Sequence, residues 1–200
     1  MNSSYISNSA LLNADESSLR RILLDLIIKY AYREGDFVLS SGAKSSYYIN
    51  CKEVTLRAEG ALIIGRSILN ILPKTTDAVA GLTLGADPIV SAVSVVSALT
   101  EKPIPALIIR KQAKGHGTKA YIEGPSLVES AEVVVLEDVV TTGKSALQAV
   151  ERLRDSGYKV TQIIALVDRK QGGEELYKSQ GLGFQALFTI EDLQGYVTST

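Results

Sequence analysis

Short apolar runs alternate along the chain with segments in which apolar residues recur every three to four positions. The runs are rich in β-branched residues, typical of strands buried on both faces, and lie at 77–82, 105–109, 133–136, 159–167 and 184–190. Helical spacing is found at 17–33, 58–72, 89–99, 146–154 and 172–179. This alternation predicts an α/β domain in which helices cover both faces of a mostly parallel sheet.

One segment near the amino terminus has a different pattern. Gly35 offers a natural stop for the first helix. Residues 37–50 then place β-branched and aromatic residues on either side of a Ser/Gly cluster, which predicts two short strands joined by a turn. A hairpin this rich in serine, with Lys44 in its turn, is usually a solvated loop.

The clearest chemical character follows the apolar run at 133–136. Glu137 and Asp138 end that run, and the turn at 141–145 lies directly before a helix. Free backbone N–H groups and the positive end of the helix dipole favour an anion at such a turn. The Gly-Lys-Ser ending is that of a nucleoside-triphosphate P-loop, but Asp138 stands where the P-loop requires its first glycine, so that motif is excluded.

The two carboxylates indicate what else the ligand carries. A carboxylate pair beside a phosphate-binding turn repels phosphate unless it faces ribose hydroxyls or a metal ion that the ligand brings. A ligand with both a sugar and a phosphate therefore fits these residues. The alternative is that Glu137 and Asp138 merely cap the helix and solvate the end of the strand. Ligands in open α/β sheets do bind at the carboxyl ends of strands.

A cluster of basic residues follows the strand at 105–109. Three lysines and an arginine share this segment, 110–119, with two glycines and His116, the only histidine of the chain. Such a charge run is usually a solvated face. Because this run follows a core strand in a nearly neutral protein, we favour an anionic partner such as pyrophosphate. Gly81 and Gly85, in the turn at 81–88, would also let backbone approach a pyrophosphate, although a tight strand-to-helix turn explains them equally well.

Composition narrows the classes of function. Two hundred residues, 46% hydrophobic and 22% charged, suit one domain with a sizeable core. A net charge of −1 gives no basic footprint for nucleic acid. The single cysteine, Cys51, excludes an internal disulfide and a cysteine-rich metal site, fits a reducing compartment, and is expected to be a packing residue.

Membrane and secretory segments are not expected. No uninterrupted apolar run reaches the roughly 18 residues of a transmembrane helix. Residues 1–9 are polar and lack the basic and apolar regions of a secretory signal. We therefore expect a cytoplasmic protein without a membrane partner.

Three segments resemble those of a known family. The run Val-Val-Val-Leu-Glu-Asp-Val-Val-Thr-Thr-Gly-Lys-Ser resembles the phosphoribosyl-pyrophosphate (PRPP) signature of type I phosphoribosyltransferases. The spacing Arg-Lys-x-x-Lys-x-His-Gly is similar to the catalytic loop of the orotate phosphoribosyltransferases, and Phe-x-Leu-x-Ser-Gly-x-x-Ser-x-Tyr-Tyr is similar to their amino-terminal hood. The resemblance covers nearly the whole chain.

This resemblance implies one phosphoribosyltransferase domain over 1–200, with a hood at about 1–55 plus the C-terminal segment and a core at about 56–180. It implies transfer of the ribosyl phosphate of PRPP to orotate, which gives orotidine 5′-monophosphate and pyrophosphate in pyrimidine biosynthesis. It also implies Mg²⁺ as cofactor and a homodimer in which the loop 110–119 serves the neighbouring subunit. A purine phosphoribosyltransferase, or a nucleotide-binding regulator on the same fold, is the alternative.

Site residues carry over by position. The resemblance assigns PRPP binding to Arg110, Lys111, Lys114, His116, Glu137, Asp138, Val139, Val140, Thr141, Thr142, Gly143, Lys144 and Ser145. The catalytic residues it implies are Lys111, Lys114, His116 and Asp138.

Orotate and magnesium also have implied positions. Arg169 matches the arginine that pairs with the carboxylate of orotate, and Thr141 would also touch the base. Ser40 stands where some bacterial members have a hood lysine, and Lys44 is the next basic residue, so Lys44 is a further orotate candidate. Magnesium is expected to be held mainly through PRPP, near Glu137 and Asp138, without a metal site of the protein alone.

Overall fold

The computed structural model describes residues 11, 14–38, 42, 44–114 and 121–199. Its strands are β1 Tyr32–Val38, β2 Lys44–Ile49, β3 Ala78–Leu82, β4 Ala106–Ile109, β5 Ile122–Glu123, β6 Val133–Val140, β7 Gln162–Asp168 and β8 Gly183–Thr189. Its helices are α1 Glu16–Leu26, α2 Lys52–Thr55, α3 Ala58–Ile71, α4 Asp87–Ser97, α5 Lys144–Asp155, α6 Gly173–Ser179 and α7 Ile190–Ser199. A π-helical turn, Ile27–Ala31, continues α1.

Six strands form the central sheet in the order β5-β4-β3-β6-β7-β8. All neighbouring pairs are parallel except β4 and β5, which are antiparallel. The predicted mostly parallel sheet is therefore confirmed. Because parallel strands end at the same edge, Val140 and Asp168 lie opposite each other at the ends of β6 and β7. The N–H of Arg169 donates to the carbonyl of Val140 at 2.9 Å, which extends this pairing by one residue.

Helices cover both faces of the sheet, and strand alternation divides the core accordingly. Val134 and Leu136 of β6 point into a cluster that includes buried residues of α1, α3 and α4. Val133 and Val135 point into a second cluster with α5 and α6. The continuous apolar run of β6 is thus the pattern of a strand buried on both faces. Cys51 is fully buried, which agrees with its expected packing role.

The predicted hairpin is present as the antiparallel pair β1 and β2. It begins earlier than the sequence pattern indicated: Tyr32 already pairs with Ile49, and Gly35, expected to stop the first helix, lies within β1. The ring of Tyr32 stacks on that of Tyr47, with centroids 6.1 Å apart. Cross-strand packing therefore overrides the helical spacing that reached residue 33.

Three short or terminal elements were not predicted from the sequence. They are α2, the two-residue strand β5 and the C-terminal helix α7, which begins directly after β8. Each is too short, or too close to a strand, for a periodic apolar pattern to distinguish it. None of the helices in the described part of the chain has the length and hydropathy that a bilayer crossing requires.

Helices α3 and α4 approach each other closely at Gly65, which allows a direct test of their packing. A Cβ at Gly65 would lie 2.8 Å from the carbonyl oxygen of Ala92 and 2.9 Å from Cγ2 of Val96. We expect Gly65→Ala to lower the free energy of unfolding by about 1–3 kcal/mol through overpacking. The measurement is urea denaturation of the purified variant.

Gly195, in the exposed face of α7, provides the matched control. Apart from Gly195 itself, its chain neighbours and the backbone of α7, no heavy atom of the described residues lies within 4 Å of the Cβ position there. Gly195→Ala should raise the unfolding free energy by about 0.5–1 kcal/mol, since alanine is the better helix former. Equal effects of the two substitutions would contradict the close contact between α3 and α4.

Candidate active site

Glu137 and Asp138 lie within β6, which continues beyond them to Val140. The expectation that the strand ends at the carboxylates is therefore wrong, because pairing with β7 extends to the end of β6. The alternative role as a helix cap is also wrong. Glu137 is only 7% exposed, and Gly143 occupies the N-cap of α5 without a side-chain hydrogen bond.

Burial is the main influence on the pKa of the Glu137 carboxyl group. Desolvation raises the pKa of its carboxyl well above the ordinary value, and the neighbouring negative charge of Asp138 raises this pKa further. The positive charge of Lys111 partly opposes this rise. Oε2 of Glu137 is buried and has no hydrogen-bond partner among the described residues. The site thus holds a carboxyl group that a hydrogen-bond donor or a cation would stabilise.

Asp138 is positioned by the turn after β3. Its Oδ1 accepts a hydrogen bond from the N–H of Val139 at 2.9 Å. A Cβ on Gly85 would lie 2.5 Å from the same oxygen, so only glycine allows the carboxylate to lie against this turn. Gly81 is equally constrained, because its Cβ would lie 2.3 Å from Cβ of Ala86. Packing within the chain therefore accounts for both glycines, and the Thr83–Leu84 peptide bond between them is cis.

The turn at 141–145 encloses a cavity of about 70 Å³. The turn lies at the start of α5, as the sequence predicted, and the residues that line the cavity are Glu137, Val139, Val140, Thr141, Thr142, Gly143, Lys144, Ser145, Ala146 and Tyr177. Gly143 has a φ of 83°, which favours glycine. The cavity therefore combines helix N-terminal N–H groups with the buried carboxyl group of Glu137.

Tyr177 of α6 lines the cavity but was not among the residues predicted from the sequence. It is fully buried, and a Cβ on Gly143 would lie 2.9 Å from its ring. Burial, followed by the negative charges of Glu137 and Asp168, raises the pKa of its hydroxyl, so this group remains a hydrogen-bond donor. A lone tyrosine in a short helical pattern gives no signal of such a position; only the packing of Gly173 against Val140 brings α6 to the cavity.

The basic residues after β4 have an acidic partner that the sequence did not indicate. Arg110 forms an ion pair with Glu123 of β5 at 3.0 Å, and Nζ of Lys114 lies 3.9 Å from the same carboxylate oxygen. Lys111 is exposed and lies close enough to Glu137 to affect its pKa. His116 lies outside the described residues, so its predicted role stays a prediction.

Arg169, at the end of β7, joins the hairpin to the central sheet. Its Nε donates to the hydroxyl of Tyr47 at 3.1 Å, and its Nη2 donates to Oγ of Ser45 at 3.3 Å. The guanidinium also lies 4.7 Å from the centroid of the Tyr47 ring. Lys44 is exposed, and strand alternation places it on the opposite face of β2 from Ser45 and Tyr47.

Comparisons with known proteins agree with this geometry. A family model described as phosphoribosyl transferase domain matches residues 57–189. The chain is 71% identical to an orotate phosphoribosyltransferase of Nostoc sp. over 90% of its own length and 88% of that protein. A counterpart from Synechocystis sp. is 68% identical over 93% of this chain and 94% of that protein.

A solved structure of an orotate phosphoribosyltransferase has a similar fold. The crystal structure of Mycobacterium tuberculosis orotate phosphoribosyltransferase in complex with PRPP superposes with a TM-score of 0.72. It is 32% identical in sequence and covers 88% of this chain and 99% of its own.

The raised pKa of Glu137 predicts a specific dependence of stability on pH. The folded state binds this proton more tightly than the unfolded state, so the charged carboxyl group destabilises the fold increasingly as pH rises above 4.5. Glu137→Gln should therefore stabilise the ligand-free protein, and its advantage should grow with pH by at most about 1.4 kcal/mol per unit. Urea denaturation of the variant and of the unmodified protein between pH 5 and 8 measures the two free energies of unfolding.

Exposed Glu151 on α5 supplies the control, because Glu151→Gln removes the same charge without burial. We expect its stability curve to remain parallel to that of the unmodified protein. A parallel curve for Glu137→Gln as well would contradict the raised pKa.

Proposed function

The chain belongs to the orotate phosphoribosyltransferases of the phosphoribosyl transferase family, and on this premise we propose how its residues divide the reaction among them. These enzymes are pentosyltransferases of pyrimidine biosynthesis. They transfer the ribosyl phosphate of PRPP to orotate and release pyrophosphate.

The sugar end of PRPP binds at β6 and the start of α5. Attack by the orotate ring nitrogen at the anomeric carbon, with loss of pyrophosphate, builds positive charge on the ribose. Catalysis then depends on holding the sugar and stabilising the leaving group. The carboxylates of Glu137 and Asp138 face the ribose hydroxyls, and the unpartnered Oε2 of Glu137 supports this role. The cavity at 141–145 takes the 5-phosphate.

The leaving group binds at the basic residues after β4. Arg110, Lys111 and Lys114 bind pyrophosphate, together with His116. In the ligand-free protein, Arg110 and Lys114 both face Glu123, so one carboxylate occupies cations that the pyrophosphate requires. Pyrophosphate carries more charge than a carboxylate and displaces it from these partly exposed side chains.

Orotate binds at Arg169, and the surroundings of this side chain support the assignment most strongly. It is 9% exposed, and its hydrogen-bond partners among the described residues are the hydroxyls of Tyr47 and Ser45, which leave its charge unneutralised. A planar guanidinium whose charge is not neutralised is well suited to bind a carboxylate. Thr141 would also contact the base. Lys44 would contribute only if its side chain turned toward the base, since it lies on the opposite face of β2.

Magnesium would be held mainly through oxygens that the ligand supplies. Within the described ranges, no cluster of three or more His, Cys, Asp and Glu side chains could hold a metal. The carboxylates of Glu137 and Asp138 are suitable oxygen ligands or acceptors for its waters. The cation would neutralise charge on PRPP, and the dependence of turnover on added Mg²⁺ tests this assignment.

The apolar surface beside the site supports a homodimer. Leu56, Leu84, Val95 and Leu99 are 71%, 67%, 71% and 76% exposed. Leu56 and Leu84 line one groove with Pro88 and Ser91 of α4, and Val95 lies one turn beyond Ser91. Exposed apolar patches of this kind mark protein interfaces. Leu84 precedes the Gly85 that contacts Asp138, so a second copy seated here would lie next to the active site.

We also infer a cytoplasmic location, because the single cysteine is buried as a free thiol. Cell fractionation tests it. No nucleic-acid or membrane partner is proposed.

Arg169→Lys tests the orotate site. Lysine retains the charge but loses the planar fork, so orotate affinity should fall about ten- to a hundredfold, which corresponds to one charge-assisted hydrogen bond. PRPP affinity should hardly change. Isothermal titration measures both affinities. Tyr47→Phe, which removes one partner hydroxyl but keeps the ring, should have a smaller effect. Loss of PRPP affinity instead would assign Arg169 to the other ligand.

A mixing experiment tests the shared site. Lys111→Ala/Lys114→Ala and Asp138→Asn should each be inactive, since one lacks pyrophosphate cations and the other a ribose carboxylate. If the loop acts on the neighbouring subunit, a mixed dimer has one site with both defects and one with neither, so turnover should reappear after subunit exchange.

If the loop acts within its own chain, every site in the mixture carries one defect and turnover stays absent. The control is a mixture in which subunit exchange is demonstrated with differently tagged copies. Subunit exchange without recovery of turnover would exclude the shared site.

A further inference from the structure

Arg152 of α5 holds the backbone from which the basic residues project. Its Nη1 donates to the carbonyl oxygen of Arg110, and its Nη2 donates to that of Lys111 at 3.0 Å. The same guanidinium lies 4.1 Å from the centroid of the Tyr121 ring. One side chain thus contacts the residues directly after β4 and the residue directly before β5.

These contacts lie directly after the point where the strand pairing of β4 with β3 ends. Pairing between β3 and β4 ends at Leu82 and Ile109. At Arg110, the N–H donates to the carbonyl of Tyr121 at 2.8 Å, while the carbonyl accepts from Arg152. Both backbone groups of Arg110 are therefore fixed, and the carbonyl of Lys111 is fixed from the same guanidinium. Because the two N–H donors belong to one rigid plane, they also set the angle between the two carbonyls.

Helix α5 connects this contact to the phosphate turn. The helix begins at Lys144, and Arg152 lies roughly two turns later on the same rigid element. The first turn of α5 lines the cavity for the 5-phosphate, and Arg152 fixes the backbone of two pyrophosphate-binding residues. One rigid helix therefore holds the phosphate turn and the backbone of Arg110 and Lys111 at a constant separation, whether these two residues serve this site or the site of the neighbouring subunit.

We propose that Arg152 is a positioning residue for pyrophosphate, which orients Arg110 and Lys111 through their backbone carbonyls and through Tyr121. The inference rests on the proposed function of Arg110 and Lys111. It assigns no contact between Arg152 and a ligand. The consequence is that loss of Arg152 weakens pyrophosphate binding while the rest of the site remains intact.

Arg154 offers a matched control on the same helix. Its Nη2 donates to the carbonyl oxygen of Val160 at 2.8 Å, so it makes the same kind of contact away from the active site. Arg152→Met and Arg154→Met each remove one guanidinium and retain an unbranched apolar side chain. Arg152→Lys keeps the charge but offers no planar pair of donors.

The experiment measures two affinities by isothermal titration in the full-length protein, one for pyrophosphate and one for orotidine 5′-monophosphate, which lacks the leaving group. Arg152→Met should weaken pyrophosphate binding about tenfold, a loss of roughly 1.4 kcal/mol, and leave nucleotide binding within about twofold. Arg152→Lys should be intermediate. Arg154→Met should match the unmodified protein in both affinities, and urea denaturation confirms that each variant is folded.

A double substitution shows whether Arg152 acts through its proposed partners. In an Arg110→Ala/Lys111→Ala background, Arg152→Met should change pyrophosphate affinity by less than about twofold, because the residues it orients are absent. Equal losses of pyrophosphate and nucleotide affinity in Arg152→Met, or no loss of either, would overturn the inference alone. Unchanged pyrophosphate affinity in Arg110→Ala/Lys111→Ala would overturn the proposed function and the inference with it.

Discussion

The active site depends on a steric constraint at the carboxyl end of β6, where neighbouring segments approach more closely than a Cβ atom permits. A Cβ would lie 2.8 Å from the carbonyl oxygen of Leu136 at Gly81, 2.5 Å from the carboxylate of Asp138 at Gly85, 2.9 Å from the ring of Tyr177 at Gly143, and 2.3 Å from Val140 at Gly173. These four glycines bring the turn after β3, the phosphate turn and α6 around one strand end. A Cβ at any of these four positions would displace a backbone or side-chain atom of the site, because protein interiors are packed without spare volume.

The order of strands separates the charged groups of the candidate site. The basic residues follow β4, the acidic pair lies in β6, and Arg169 follows β7, so β3 separates the cations from the carboxylates in the sheet. Glu137 is more buried than the basic residues after β4, and burial together with the negative charge of Asp138 raises its pKa. A ligand that brings hydrogen-bond donors or cations would relieve this electrostatic cost. A net charge of −1 is thus compatible with a strongly polarised site.

Internal partners contact the charged side chains of the ligand-free site. Glu123 faces Arg110 and Lys114. Arg169 donates hydrogen bonds to the hydroxyls of Tyr47 and Ser45. Arg152 donates to the backbone carbonyls of Arg110 and Lys111. The ion pairs of Glu123 are partly exposed, so solvent screens them and a multiply charged ligand can replace them. The buried contacts of Arg169 instead fix its orientation in the ligand-free protein. Preorganisation of this kind lowers the ordering cost of binding.

The sequence by itself determined the alternation of strands and helices, the mostly parallel sheet, the turn at the start of α5 and the residue types of the site. These features follow from local periodicity and from residues that are neighbours in the chain. Three-dimensional packing decided what periodicity cannot encode. Because β6 pairs with β7 as far as Val140, the strand includes both carboxylates. Because β1 pairs with β2 from Tyr32 onward, the residues after Ala31 form a strand and not a continuation of the helix. Tyr177, Glu123 and Arg152 meet their partners across 34, 13 and 41 to 42 positions of sequence, so only the tertiary structure places them at the site.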